Sequence, residues 1–170
     1  KALALFGRLS REYPDLPDLR RQEALCLHQL GNLLRLQSAQ RQAAVQALRS
    51  ALERLRPLML GDRPLAEDRH RLCQMLADLG TLLWQEQAFE EAEELLRESL
   101  AARKQLVANA PAVPAYRVQL AHDCMVLAHL HRRRERWADA QAACVAALDQ
   151  WRTLTREFPR QPSYAVAAAQ

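Results

Sequence analysis

The sequence predicts an all-α protein, and its composition and periodicity carry that prediction. Among 170 residues there are only 4 glycines and few β-branched residues, so the residues typical of strands and tight turns are scarce. Long segments are instead built from alanine, leucine, arginine, glutamate and glutamine, which are good helix formers. Apolar residues recur at helical spacing along these segments. Hydrophobic residues make up 49% of the chain and charged ones 26%, a balance typical of a soluble domain with a core.

An internal repeat of 48 to 49 residues organises the chain. The small residues that align are Gly31, Gly80 and Ala128. Twelve positions later stand Ala43, Ala92 and Ala140, and further on Ser50, Ser99 and Ala147. The beginning of the chain also matches a segment near its end without a gap, since residues 2–17 align with residues 147–162. The repeat predicts units of the same structure.

Each unit is predicted to be a pair of helices. The first helix of the second unit carries apolar residues at helical spacing: Leu72, Leu76, Leu79 and Leu83. Proline-containing segments at 13–19 and 110–116 end one helix and begin the next, because proline lacks the donor that a helix interior needs. One domain, 1–170, then contains the end of a preceding repeat, three repeats and the start of a following repeat. Their predicted ranges are 1–12, 15–60, 62–108, 111–157 and 161–170.

The small residues predict a close approach inside each unit. Gly80 and Ala92 are expected where the two antiparallel helices cross, since a larger side chain at either position would hold the backbones apart. Trp137 and Trp151 are both expected to pack in the interior.

The second unit resembles the tetratricopeptide (TPR) repeat. The matching residues are Leu76, Leu79, Gly80, Leu83, Phe89, Ala92, Leu96, Ser99 and Leu100. The standard TPR unit has ~34 residues, so this chain is similar to the long-repeat bacterial type. The resemblance implies a right-handed α-solenoid of antiparallel helix pairs, with three full repeats and a half-repeat at each end. It also implies a fragment of a larger multidomain protein that serves as a non-catalytic protein–protein interaction scaffold or regulatory segment.

In the TPR family the first helices line a concave groove, and the resemblance places that groove here residue by residue. The partner-binding residues it implies are His28, Asn32, Arg35, Thr81, Trp84, His122, His129, Arg132 and Arg133. Leu36, Gln74, Ala77, Gln85 and Met125 accompany them. Because no acidic residue belongs to this set, the groove is expected to be neutral to basic. It suits a protein or peptide, an acidic one included, or another domain of the same chain. Trp84 is either a contact for that partner or a packing residue between units.

No motif predicts catalysis or a cofactor. The chain lacks the GxSxG and GxxxxGK[ST] patterns, and its glycines never cluster. His70 and Cys73 have helical i, i+3 spacing, but a zinc site needs about four ligands and no second pair matches them. We therefore expect no enzyme activity, no metal and no cofactor.

Two other functions remain open. A structural spacer or oligomerisation array in a larger signalling or defence protein is the first alternative. Nucleic-acid contact through the basic run 131–136 is the less favoured one, because the net charge of +4 is divided into +5, −4 and +3 along the chain. The run is expected to lie in water at a helix end, and the glutamates between Glu86 and Glu98 on a solvated convex face.

Cysteine usage and hydropathy predict a cytoplasmic protein. The cysteines form no CxxC pair and sit in helical patterns as small apolar residues, which favours a reducing compartment. No apolar run approaches the ~18 residues of a membrane span, so no membrane partner is expected. The bias of 22 arginines to 2 lysines is typical of a GC-rich bacterial genome.

Overall fold

The computed structural model describes residues 2–13, 16–61 and 64–169, and it confirms the all-α prediction. Within these residues there are eight α-helices and no strand. The helices are α1 (Ala2–Glu12), α2 (Pro17–Leu34), α3 (Arg41–Leu55), α4 (Ala66–Gln85), α5 (Phe89–Asn109), α6 (Pro114–Arg133), α7 (Trp137–Glu157) and α8 (Pro162–Ala168). Short 3₁₀ turns occupy Ser38–Gln40 and Arg56–Met59.

Proline marks the beginning of three of the helices. Pro17, Pro114 and Pro162 are the first residues of α2, α6 and α8. The first turn is where a missing N–H costs nothing, because the N–H groups there have no partner inside the helix. At the start of α4 and α5, acidic residues take the favourable position near the positive end of the helix dipole.

The helices pack mainly with their neighbours along the chain. The closest packing joins α2 with α3, α4 with α5, and α6 with α7, and α3 and α5 then contact α4 and α6. A large cluster of buried residues, mostly leucines, extends from α2 to α6. Smaller clusters around Cys124 and around Leu154 continue the core through α7 and α8.

Two glycines stand where helices come closest. A Cβ added to Gly80 would lie 2.9 Å from Cγ of Leu96 on α5, and one added to Gly31 would lie 2.7 Å from Cγ of Leu48 on α3. Both distances are shorter than a real Cβ accepts. The close approach predicted for Gly80 is therefore present, and Ala128 on α6 is also buried.

The alignment of the first unit needs a correction by one residue. Ala43 is exposed, whereas Ala44 is fully buried and its carbonyl oxygen lies 3.3 Å from a Cβ placed on Gly31. The carbonyl oxygen of Ala92 lies 3.2 Å from the equivalent point on Gly80. The chain from Gly31 to Ala44 is therefore one residue longer than the chain from Gly80 to Ala92, and α3 is shifted by that residue relative to α2.

The same shift changes which residue of the first unit corresponds to Ser99 and Ala147. Ala51, which is fully buried, takes the place that the sequence comparison gave to Ser50. It therefore corresponds to Ser99 and Ala147, both of which are also buried.

The two tryptophans expected in the interior have different environments. Trp151 is 8% exposed and packs with Leu154 and Ala121, as predicted. Trp137 is 64% exposed, so the packing prediction for it is wrong. It is the first residue of α7, where the helix leaves its turn and one face still points to solvent.

Candidate functional site

A cleft of about 350 Å³ lies across α2, α4 and α6. Its walls are His28 and Asn32 of α2, Gln74, Ala77, Asp78 and Thr81 of α4, Arg103 of α5, and Gln119, Asp123 and Val126 of α6. Three of the predicted groove residues, His28, Asn32 and Thr81, therefore meet in one cavity. The cleft runs obliquely across α2, α4 and α6, because its lining residues lie progressively nearer to the N-terminal end from one of these helices to the next.

Asp78 is the hydrogen-bond acceptor at the α2 side of the cleft. Nε2 of His28 lies 2.7 Å from Oδ2 of Asp78, and Nδ2 of Asn32 donates to the same oxygen at 3.1 Å. Nη1 of Arg35 lies 3.8 Å from Oδ1 of Asp78 and adds a positive charge beside it. Burial on its own would raise the pKa of Asp78, but the hydrogen bonds from His28 and Asn32 outweigh it and lower the pKa below its usual value. Asp78 is therefore a carboxylate at neutral pH, and His28 donates to it.

Arg103 and Asp123 form a buried ion pair on the opposite side. Nε of Arg103 donates to Oδ2 of Asp123 at 2.7 Å, and the hydroxyl of Ser99 lies 2.8 Å from the same oxygen. Arg103 and Ser99 are fully buried and Asp123 is 4% exposed. Burial raises the pKa of Asp123, although the positive charge of Arg103 opposes the shift.

The expectation of a groove without acidic residues is wrong for this cleft. Asp78 and Asp123 both line it. The family pattern selects one stripe of residues along each helix. Asp78 and Asp123 lie beside that stripe, where they pair with His28 of α2 and Arg103 of α5. Arg35 balances the charge of Asp78 and Arg103 balances that of Asp123, so the cleft is close to neutral rather than basic.

The other predicted residues of α6 lie outside the cleft. His122 lines a different cavity of about 500 Å³ between α6, α7 and α8, where its ring meets that of Trp151 edge to face at 5.4 Å. His129, Arg132 and Arg133 are exposed near the end of α6. The oblique course of the cleft explains the difference, because it meets α6 nearer the N-terminus than the pattern expected.

Of the two roles considered for Trp84, its position favours packing between helices over contact with a partner. Its side chain is half-buried and packs against the main core cluster, and it does not line the cleft. Its Nε1 is buried and has no acceptor within the part of the chain that the structure describes.

The basic run 131–136 packs against α5 and forms ion pairs with it, instead of being fully exposed to solvent. His131 is buried, and Arg134 and Arg136 both pair with Glu93, at 3.2 Å and 2.5 Å. Glu93 is only 4% exposed, so the prediction of a solvated position is wrong for both His131 and Glu93. The turn between α6 and α7 packs on α5 and closes over them. Burial also lowers the pKa of His131, whereas Arg132 and Arg133 of the same run are exposed.

His70 and Cys73 do not form a metal site with further ligands in the described residues. No group of three or more histidine, cysteine, aspartate or glutamate side chains with suitable placement occurs there. The ring of His70 packs against that of Tyr116 with centroids 5.3 Å apart and a tilt of 41° between the rings, and burial raises the pKa of the Cys73 thiol to about 11. No helix in these residues has the length and apolar character needed to cross a membrane.

Comparisons with known proteins leave the family open. A scan against protein-family models found no match, and a search of curated proteins found no significant relative.

One feature of the sequence could have indicated Arg103 and Asp123, although the family pattern does not use it. This feature is the residue type at equivalent positions of the repeat. With the repeat offset of 48, Arg103 stands at the position of the buried residues Leu55 and Trp151. A charged residue at a position that is apolar in the other units indicates a local departure from simple packing.

Proposed function

We propose that the chain is a segment of a TPR-like α-solenoid that binds an extended polypeptide in the cleft across α2, α4 and α6. The partner is another protein or another domain of the same chain. The observation that carries the proposal is the cleft itself, because three alternate helices build it and three predicted groove residues meet in it. Its volume lies near the lower end of the range of about 300–1,000 Å³ that is typical of small-molecule pockets in proteins.

The repeated local geometry supports the solenoid. Each helix packs mainly with its chain neighbours, which is typical of repeat proteins. Gln87 and Glu135, 48 residues apart, both have positive φ in the turn between two helices of a unit, at 64° and 57°. Gly31 and Gly80 make the same kind of approach to a leucine and an alanine carbonyl on the next helix.

The chemistry of the cleft favours recognition over catalysis. Its carboxylates are engaged with His28, Asn32 and Arg103. The hydroxyl of Thr81 donates to the carbonyl of Ala77 in its own helix at 2.8 Å, so no base activates it. Polar side chains from several helices, among them Gln74 and Gln119, offer donors and acceptors of the kind that fix a peptide in place.

Selection from a displayed library of random 12-residue peptides tests the proposal. We expect peptides that bind the wild-type chain and lose at least about tenfold in affinity on Thr81→Arg, which fills the cleft. Glu94→Arg is the matched control, because Glu94 is exposed on α5 outside the cleft. Circular dichroism should give equal helicity for all three proteins.

Two results would contradict peptide binding in the cleft. Equal binding to the Thr81→Arg and Glu94→Arg proteins places the interaction on another surface. Failure to select any peptide favours the structural spacer.

A further inference from the structure

The turn from α6 to α7 has the same backbone geometry as the turn from α4 to α5, but it contains a histidine in place of a leucine. The N–H of Arg136 donates to the carbonyl oxygen of His131 at 2.9 Å. At the equivalent place in the preceding unit, the N–H of Ala88 donates to the carbonyl oxygen of Leu83, also at 2.9 Å. His131 and Leu83 are both buried, at 3% and 4% exposure. Because leucine closes the same turn, helix packing does not require a titratable ring there.

The ring of His131 is held in its neutral form by the turn that follows it. Nη2 of Arg136 donates to Nδ1 of His131. Since a guanidinium nitrogen can only donate, Nδ1 carries a lone pair and no proton. A proton at Nδ1 would remove this acceptor and place a second positive charge against Arg136. The contact between the ring and the turn therefore exists only while the histidine is uncharged.

Glu93 of α5 anchors the turn and is shared by three arginines. Arg134 and Arg136 lie 3.2 Å and 2.5 Å from its Oε2. Arg97 of the same helix lies 2.6 Å from its Oε1. Glu93 is 4% exposed, so these ion pairs are shielded from water. The turn is therefore fixed on α5 through one buried carboxylate.

The remaining charges around the ring are already balanced. Arg134 binds Glu90 of α5 at 2.7 Å, and Nε of Arg136 lies 3.6 Å from Asp139 of α7. Three arginines thus face three carboxylates across the turn, α5 and α7. A proton on His131 would add an uncompensated positive charge in a buried place, which is unfavourable.

The sign of the pH effect follows from this environment. Burial is the largest cause that lowers the pKa of His131, and Arg136 lowers it further, while Glu93 and Asp139 oppose the shift. If the turn leaves α5, the ring enters water and its pKa returns toward the ordinary value of about 6.5. The stability that the neutral ring gives to the closed turn is therefore present above about pH 6.5. It is lost as the pH falls toward the lower pKa of the buried ring.

We propose that the α6–α7 turn, residues 134–136, is a pH-sensitive switch controlled by His131. The turn is closed on α5 while the ring is neutral, and it opens when the ring binds a proton. Opening separates Arg134 and Arg136 from Glu93 and loosens the contact of the third unit with the second. The α4–α5 turn has no titratable residue at this position and stays closed. The switch is independent of peptide binding in the cleft.

Backbone amide exchange, measured residue by residue by NMR at pH 7.5 and pH 5.5, tests the switch. Each rate is divided by the intrinsic rate at the same pH to give a protection factor. We expect the protection of the Arg136 N–H to fall about 3- to 10-fold at pH 5.5, because one proton shifts an equilibrium by at most about tenfold per pH unit. The protection of the Ala88 N–H should not change, because Leu83 does not titrate.

Two variants separate His131 from other titrating groups. His131→Leu gives the turn the residue of the α4–α5 turn, so the helicity should be kept and the pH dependence at Arg136 should disappear. His129→Gln is the matched control, because it removes an exposed histidine of the same helix, and it should keep the wild-type dependence. An NMR titration of the His131 ring in the wild-type chain should also give a midpoint below about 6.5.

Three results would overturn the switch. Equal protection of the Arg136 N–H at both pH values would show that the turn does not open. A pH dependence that survives in His131→Leu would assign the effect to carboxylates instead of the ring. An equal fall at Ala88 and Arg136 would show that acid destabilises the whole chain, and this comparison needs no variant.

Discussion

Gly80 shows how a single atom limits the packing of two helices. A valine at this position would place its side chain within the space of Leu96 and the carbonyl of Ala92. We expect Gly80→Val to lower the free energy of unfolding by about 1–3 kcal/mol, measured by urea denaturation followed by circular dichroism. Gly61→Val is the control, because a Cβ on Gly61 meets no atom within 4 Å among the residues that the structure describes. Equal losses in both variants would contradict the close approach.

The free thiols differ in reactivity because they differ in burial. Burial raises the pKa of Cys73 and of Cys124 to about 11, so both stay protonated at pH 8, while Cys144 is exposed. Ellman's reagent at pH 8 should therefore modify Cys144 rapidly and Cys73 and Cys124 only after unfolding. Cys144→Ala combined with Cys26→Ala, which removes the half-buried fourth thiol, should remove the fast phase. A fast phase that survives both substitutions would show that a buried thiol is accessible.

At the scale of secondary-structure elements, the turns from α4 to α5 and from α6 to α7 each contain a non-glycine residue in a left-handed conformation. Gln87 has φ 64°, its N–H donates to the carbonyl of Trp84, and the N–H of Ala88 donates to that of Leu83. This is the helix ending that glycine favours. The geometry recurs at Glu135.

Substitution by glycine tests that ending. Gln87→Gly should raise the free energy of unfolding by about 0.5–1 kcal/mol, because relief of the left-handed strain exceeds the entropy that glycine adds to the unfolded chain. Gln105→Gly, in the exposed interior of α5, should lower it by about 1 kcal/mol. Urea denaturation measures both, and a loss of stability on Gln87→Gly would contradict the assignment.

The sequence predicts the helices more accurately than it predicts the turns that connect them. Proline at 17, 114 and 162 fixes where helices begin, because its ring suits only the first turn. The shift between α2 and α3 was missed, since an extra residue in a turn leaves the apolar period of each helix unchanged. Only the buried positions of Ala44 and Ala51 reveal it.

At the scale of the whole molecule, packing with chain neighbours makes the two ends less stable than the middle. Helix α8 buries no residue fully, and α1 packs mainly on α2, whereas α4 and α5 have helices on both sides. Amide hydrogen exchange should therefore be at least roughly tenfold faster in α1 and α8 than in α4 and α5. Equal protection throughout would show that the chain opens as a single cooperative unit.

The candidate site shows which functional residues a pattern can find. His28, Asn32 and Thr81 were predictable because they lie on the stripe of the first helices that the family pattern assigns to a groove. Arg103 and Asp123 were not, since their place in the cleft depends on a pairing between two different helices. Such pairing leaves no periodic signal along a single helix.

The sequence by itself determined the helical class, the repeat and the positions where two helices must approach closely, because propensity, period and side-chain size are local properties. The tertiary structure alone decided that Trp84 packs against the core, that Arg134 and Arg136 bind Glu93, and that the cleft carries balanced charge. These features depend on the offset and rotation between neighbouring helices. A difference of one residue in a turn or a few ångströms in crossing position changes which side chains meet.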